Sequence, residues 1–254
     1  MDTVVNTRPE GQQTRLTELL QHAGFSVIEC PTLQITPLAE PQAYTFVQQQ
    51  SLNPNQIHSD WIIFTSQNAV HYGLDCLQAS PQTRLIGIGP STQQLIEQAG
   101  FQVALDAQLF TSETLLQQPV LQPVTGQTIT IVRGVGGRRV LPQGLTDRGA
   151  EVNIVECYAR TSPPELVRQV NHILEHDVLA VCVTSGEGLT NMLAAATPAT
   201  QQFLYKIPLL VISVRIVTLA RRLGFTGPVE VIDTVHLRHD EALVALAKTI
   251  QSEL

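Results

Sequence analysis

The residues of this chain suited to chemistry are hydroxyls, arginines and one tyrosine, gathered in short polar turns. Two Thr-Ser pairs, Thr65-Ser66 and Thr184-Ser185, each follow an apolar run, Gly89 and Thr92 lie in a third turn, and Ser112 opens a fourth segment. A hydroxyl at a helix start can cap that helix or, with the free backbone N–H groups around it, hold an anion, and the two roles are compatible. Arg133 and Arg138 flank a turn rich in glycine (Gly134, Gly136, Gly137), where a guanidinium could grip a carboxylate through two parallel hydrogen bonds. The plain alternative is a solvated turn with incidental arginines. Arg8 poses a similar choice between a salt bridge linking two domains and a substrate contact. Of the 15 basic residues only Lys206 and Lys248 are lysine, a bias toward the side chain shaped for bidentate carboxylate or phosphate recognition. Tyr158 carries a phenol that is protonated near neutral pH and can donate a proton or a hydrogen bond; simple packing beneath a connecting segment is the alternative.

Other chemistries find no support. His22, His58, His71, His172, His176, His236 and His239 form no spaced ligand set. His236 and His239 share one face of a helical HLRH run, but Arg238 and Asp240 mark that run as a solvated helix start. Cys30, Cys76, Cys157 and Cys182 are far apart, without a CxxC, and each lies in or beside an apolar run. They read as buried, reduced thiols, not as metal ligands or disulfides. There is no P-loop, no true GxGxxG and no metal-ligand spacing. A net charge of −7 argues against nucleic acid as the main partner. The opening MDTVVNTRPE has neither a signal-peptide nor a transit-peptide pattern. The longest apolar run, 207–214, contains Pro208 and Ser213 and falls short of a membrane span, so a cytoplasmic chain without membrane contact is expected.

The elements that must position these turns occur twice. Segment 3–31 aligns with 128–158: Arg8 falls on Arg133, Gly11 on Gly136, Gly24 on Gly149 and Val27 on Val152, all at one offset. Glu29-Cys30 then matches Glu156-Cys157 after a two-residue insertion. Residues 59–70 match 178–189, placing Thr65-Ser66 on Thr184-Ser185, and 88–101 match 212–225, both ending in Gly-Phe. Ser112-Glu113 before two leucines matches Asp240-Glu241 before Leu243-Val244, each read as a helix opening on its capping residue. Four segments recurring in one order point to an internal duplication. Each copy alternates short apolar strands with helical segments, the pattern of an α/β, doubly wound parallel sheet. Strands are expected near 3–7, 26–30, 61–65, 85–88 and 103–105, then near 128–132, 151–157, 179–183, 209–213 and 229–232. With 254 residues and 43% hydrophobic content, two domains of roughly 125 residues each can be built. The polar turns all fall at the carboxyl edge of the strands, where such sheets bind ligands.

At these turns the chain resembles the uroporphyrinogen-III synthase family. The matching pieces are Thr7-Arg8-Pro9, Gly24-Phe25, the run from Phe64 through Val70 (FTSQNAV), Gly87-Ile88-Gly89 with Thr92, and Ser112-Glu113. Later come Val132-Arg133-Gly134 with Gly136-Gly137-Arg138, Tyr158-Ala159-Arg160 and Thr184-Ser185. They stand in the family's order and cover nearly the whole chain. The resemblance implies two flavodoxin-like domains joined by two extended crossings, 32–38 and 158–163. It makes one domain discontinuous (1–34 with 163–254) and the other continuous (40–156), with linker strands at 35–39 and 157–162.

The same resemblance implies a cofactor-free, monomeric lyase acting on linear hydroxymethylbilane, a tetrapyrrole with eight carboxylates. Loss of the terminal hydroxyl as water generates an electrophilic azafulvene, and closure with inversion of ring D gives uroporphyrinogen III. Uncatalysed closure gives the wrong isomer, so holding the chain in one folded shape is the larger task. A transient contact with the preceding enzyme of the pathway is also expected. Tyr158 matches the family's tyrosine proposed to assist loss of the hydroxyl. Arg8, Thr65, Ser66, Gly89, Thr92, Ser112, Arg133, Arg138 and Ser185 are the expected substrate contacts. Thr92 faces Ile216 in the other copy and Ser112 faces His239 or Asp240, so most contacts are assigned to the middle domain. The competing classes are a two-lobed small-molecule binding protein without catalysis and, more weakly, a nucleotide-sugar transferase, for which no acidic motif is present.

Overall fold

The computed structural model describes residues 2–105, 111–233 and 238–253; His236 of the HLRH run therefore lies outside the described residues. In chain order the elements begin β1 (Thr3–Asn6), α1 (Thr14–His22), β2 (Ser26–Glu29), β3 (Gln34–Thr45), β4 (Ser51–Leu52), β5 (Trp61–Phe64) and α2 (Gln67–Gly73). Next are β6 (Arg84–Gly87), α3 (Pro90–Gln98), α4 (Ser112–Leu116), β7 (Thr128–Gly134), α5 (Val140–Thr146) and β8 (Glu151–Thr161). The chain continues with α6 (Leu166–His172), β9 (Val178–Val183), α7 (Gly186–Ala195), α8 (Pro198–Leu204) and β10 (Leu209–Val211). It closes with α9 (Val214–Arg222), β11 (Val229–Val231) and α10 (His239–Ser252).

The described chain divides into two compact units, one made of Met1–Gln34 with Thr161–Leu254 and the other of Ile35–Arg160. The first holds a five-stranded sheet in the order β11-β10-β9-β1-β2, every pair parallel. The second holds a six-stranded sheet, β4-β3-β8-β7-β5-β6. Its β8-β7-β5-β6 pairs are parallel and β3 with β4 is antiparallel. Val103 adds a single parallel bridge to Leu85 at the β6 edge, in place of a full strand at 103–105. From that bridge inward, 103-β6-β5-β7-β8 follows the same order as β11-β10-β9-β1-β2.

The central parallel strands of both sheets are apolar on both faces, which is why they read as continuous runs of hydrophobic residues. In the first unit Val5, Val181, Val183 and Val211 pack into one core while Val4, Ala180, Cys182 and Leu210 pack into another. In the second, Ile63, Ile86, Ile129 and Ile131 face one side, and Ile62, Phe64, Leu85 and Val132 the other. Alternate residues along each strand thus serve opposite faces.

Two expectations at element starts are corrected. Ser112 does not cap α4: Thr111 accepts the Thr114 N–H, and the Thr114 hydroxyl takes the Thr111 N–H in return, leaving Ser112 as the first helical residue. Asp240 does not cap α10 either. It sits in the first turn after Arg238, where the carboxylate faces the positive helix end and pairs with Arg8. The segment around 32–38, expected as an extended crossing with a linker strand at 35–39, enters at Gln34 a longer strand that runs to Thr45 and joins the sheet. Its polar, half-exposed pattern and its two prolines, Pro37 and Pro41, hide it from a search for apolar runs.

Candidate functional site

The carboxyl ends of β5, β6, β7 and β8 converge on a cavity of about 300 Å³ within the second unit. Its wall carries Thr65, Ser112, Arg138, Tyr158 and Arg160, together with Gly134, Gly136 and Gly137 of the turn after β7.

Tyr158 reaches this wall through an irregularity in its strand. Arg133 pairs in register with Glu156, yet the next residue, Gly134, pairs with Tyr158, so Cys157 is bulged. A regular strand would send Cys157 and Tyr158 to opposite faces; here both pack in the cluster with Phe64 and Val132. The ring is 1% exposed and lies directly against Gly134, where an added Cβ would come within 2.6 Å of Tyr158 Cε2. Its oxygen is 3.0 Å from the Ser66 hydroxyl, and the Arg160 guanidinium lies 5.8 Å from the ring centroid.

Ser66 serves two partners. It caps α2 by accepting the Ala69 N–H, and the same oxygen meets the phenol. Thr65 donates to the Val132 carbonyl at 3.1 Å while lining the cavity. Both Thr-Ser turns form caps, since Ser185 accepts the Gly188 N–H at the start of α7 in the first unit.

Arg133 is neither a solvated residue nor a free clamp. It is 8% exposed and hydrogen-bonds within the protein through all three of its nitrogens. Nε donates to Glu156 Oε1, Nη2 to the Tyr44 hydroxyl, and Nη1 to the carbonyls of Gly137 and Arg138, while Nη2 also lies 3.1 Å from Glu156 Oε1 as an ion pair. Glu156 Oε1 additionally accepts the Gly136 N–H and the Tyr44 hydroxyl. Arg133 and Glu156 therefore hold the glycine turn from inside and shape the wall on which Arg138 stands. Burial pushes the Tyr44 phenol above its ordinary value, with the Arg133 cation opposing.

Arg138 itself is largely exposed and pairs with Glu113, whose carboxyl the guanidinium hydrogen bond holds below the usual range. Gly89, at the N-cap of α3, and Thr92, buried within that helix, are off the cavity wall. Gly89 adopts φ +92°, which glycine tolerates, and caps α3 through its carbonyl. Arg8 lies in the other unit, where its ion pair is with Asp240 of that same unit and not a link between domains.

Three residues of this site are not among the expected contacts, namely Glu156, Tyr44 and Arg160, although Glu156 stands in the repeat and Arg160 in the Tyr158-Ala159-Arg160 piece. An acid in the apolar run of β8, opposite an arginine on β7, was the available signal for Glu156. Tyr44 sits in β3 beyond the expected linker strand, where the polar pattern gives no strand signal. Among the described residues no cluster of His, Cys, Asp and Glu could hold a metal ion. Of the cysteines, Cys30, Cys157 and Cys182 are buried and Cys76 is half-buried, all as free thiols. Among the described residues no helix is long and apolar enough to cross a membrane.

Residues 14–231 match the family model described as uroporphyrinogen-III synthase HemD. The chain is 31% identical over 232 residues to the uroporphyrinogen-III synthase of Escherichia coli strain K12, covering 88% of this chain and 92% of that one. It is 35% identical over 176 residues to the Salmonella typhimurium uroporphyrinogen-III synthase, covering 66% and 71%. Among solved structures, a mutant uroporphyrinogen III synthase from the extremely thermophilic bacterium Thermus thermophilus superimposes with a TM-score of 0.65 at 16% identity, covering 99% of this chain and 100% of that one. The Helicobacter pylori 26695 uroporphyrinogen-III synthetase follows with 0.59 at 13% identity, covering 98% and 100%; both likenesses concern the fold.

Proposed function

Because this chain belongs to the uroporphyrinogen-III synthase family, we propose that it closes linear hydroxymethylbilane into uroporphyrinogen III, as a cyclising lyase, around the cavity at Tyr158. The observation that carries the site assignment is the phenol of Tyr158 on the cavity wall, hydrogen-bonded to Ser66 and flanked by Arg160. A protonated phenol donates to the hydroxyl as it leaves, which makes water the leaving group instead of hydroxide. The arginines and hydroxyls at the rim, Arg138, Arg160, Thr65 and Ser112, suit the carboxylates of the substrate. Arg133 acts through the turn it holds.

The first unit presents the matching edge, with Ser185 and Arg8 on it. Arg8 is committed to Asp240, which supports a lesser share of the contacts there. The recurrence of segments and the common strand order support descent from a duplicated half. A monomer that needs no cofactor, works in the cytoplasm and meets the preceding enzyme only in passing completes the proposal.

The test is incubation of the purified chain with enzymatically made hydroxymethylbilane, followed by oxidation and chromatography of the porphyrins. Predominance of the type III isomer is expected. Only type I product, the outcome of unassisted closure, would defeat the assignment and favour a binding protein without turnover.

A further inference from the structure

Three arginines border the cavity, and their surroundings separate them sharply. Arg133 is buried, ion-paired with Glu156 and hydrogen-bonded at all three nitrogens. Arg138 is gripped at both terminal nitrogens by Glu113. Arg160 is exposed, and among the described residues it makes no ion pair. Its contacts are the face of the Tyr158 ring and, at 3.5 Å, the phenol oxygen.

We infer that Arg160 is the cation that receives a substrate carboxylate at this cavity, and that it thereby sets the substrate against the Tyr158 phenol. A guanidinium held beside an aromatic ring and within reach of its hydroxyl keeps most of its N–H groups free for an anion. A carboxylate taken in fork geometry by those groups would lie a few ångströms from the phenol oxygen. Binding at one pyrrole side chain then becomes proximity at the reacting end. Arg133, expected with Arg138 from the glycine-rich turn, is turned inward to Glu156, and Arg138 must first give up Glu113. The inference rests on the activity proposed above for the same cavity, so its test includes a readout independent of turnover.

Uroporphyrin III, the stable oxidised octacarboxylate, is titrated by fluorescence into the parent chain, Arg160→Gln and Arg84→Gln. Arg84 stacks on Trp61, away from the cavity, and its variant makes the same change in net charge. The dissociation constant of Arg160→Gln is expected to rise on the order of tenfold, the loss typical of a charge-assisted pair, with Arg84→Gln near parent. With hydroxymethylbilane, Arg160→Gln should raise KM by a similar factor, change kcat less, and increase the share of type I product. An unchanged dissociation constant and KM in Arg160→Gln, or equal losses in both variants, would overturn the inference. A parent chain yielding only type I product would instead sink the activity, and the porphyrin titration would still decide for or against Arg160 as the carboxylate receptor.

Discussion

The phenol oxygen of Tyr158 lies 3.0 Å from the hydroxyl oxygen of Ser66, which at the same time accepts the Ala69 N–H at 3.1 Å. With one lone pair given to the helix cap, Ser66 can turn its own proton to the phenol oxygen. The phenol proton is then left for the cavity. A residue fixed by a helix start thus orients the group best placed to donate.

Tyr158→Phe keeps the buried ring and removes only that proton. Turnover should fall several-fold or more while circular dichroism and the thermal midpoint stay near parent. An unchanged kcat would remove the role. Ser66→Ala should cost about 1 kcal/mol through the lost cap, read by urea unfolding, and lower turnover less than the phenylalanine variant.

Gly134→Ala is expected to displace the phenol without touching it chemically. The new Cβ would sit 2.6 Å from Tyr158 Cε2 and 2.7 Å from Cζ, closer than packed carbons allow. Near-UV circular dichroism should change and kcat should drop at least as far as in Tyr158→Phe. A parent-like rate would mean that the position of the ring does not matter.

Glu156→Gln removes the charge that faces buried Arg133. An uncompensated buried cation typically costs about 3–5 kcal/mol, so the urea midpoint should shift strongly downward. Because the glycine turn is held by the same pair, KM should rise even at temperatures where the variant is folded. Loss of stability without any change in KM would limit the pair to a structural role.

Burial pushes the thiols of Cys30, Cys157 and Cys182 up to about 12 from an ordinary value of 9.0. Each stays protonated in the fold where the unfolded chain would ionise. Their contribution to stability is therefore intact below about pH 9 and is lost between there and pH 12. The slope is about 1.4 kcal/mol per pH unit for each thiol. At pH 8 these three should resist iodoacetamide in the native protein and react in urea, followed by mass spectrometry. Rapid native alkylation of Cys182 would contradict its burial.

Much of the architecture was legible because parallel strands covered on both faces must be apolar throughout. β5, β7 and β9 stand out on that ground alone. β3 did not, since a polar strand with prolines satisfies no hydrophobic pattern and owes its order to the ladder it joins. At the site, the cap at Ser66 and the tyrosine at 158 were legible as residue types at turns. The partners of Arg133 were not, because an arginine beside glycines looks the same in a chain whether it faces solvent or a buried acid.

By itself the sequence determined that strands and helices alternate twice over, that hydroxyls and arginines collect at the strand ends, and that Tyr158 follows Glu156 and Cys157. Only the tertiary structure decided which way each of them points. The bulge at Cys157 carries Tyr158 to the face of Ser66, and pairing across β7 and β8 turns Arg133 inward to Glu156. Of the three arginines at the cavity, Arg160 is the one without an acid partner among the described residues. Side-chain direction follows from register between strands far apart in the chain, and register is settled by the packing of both faces at once.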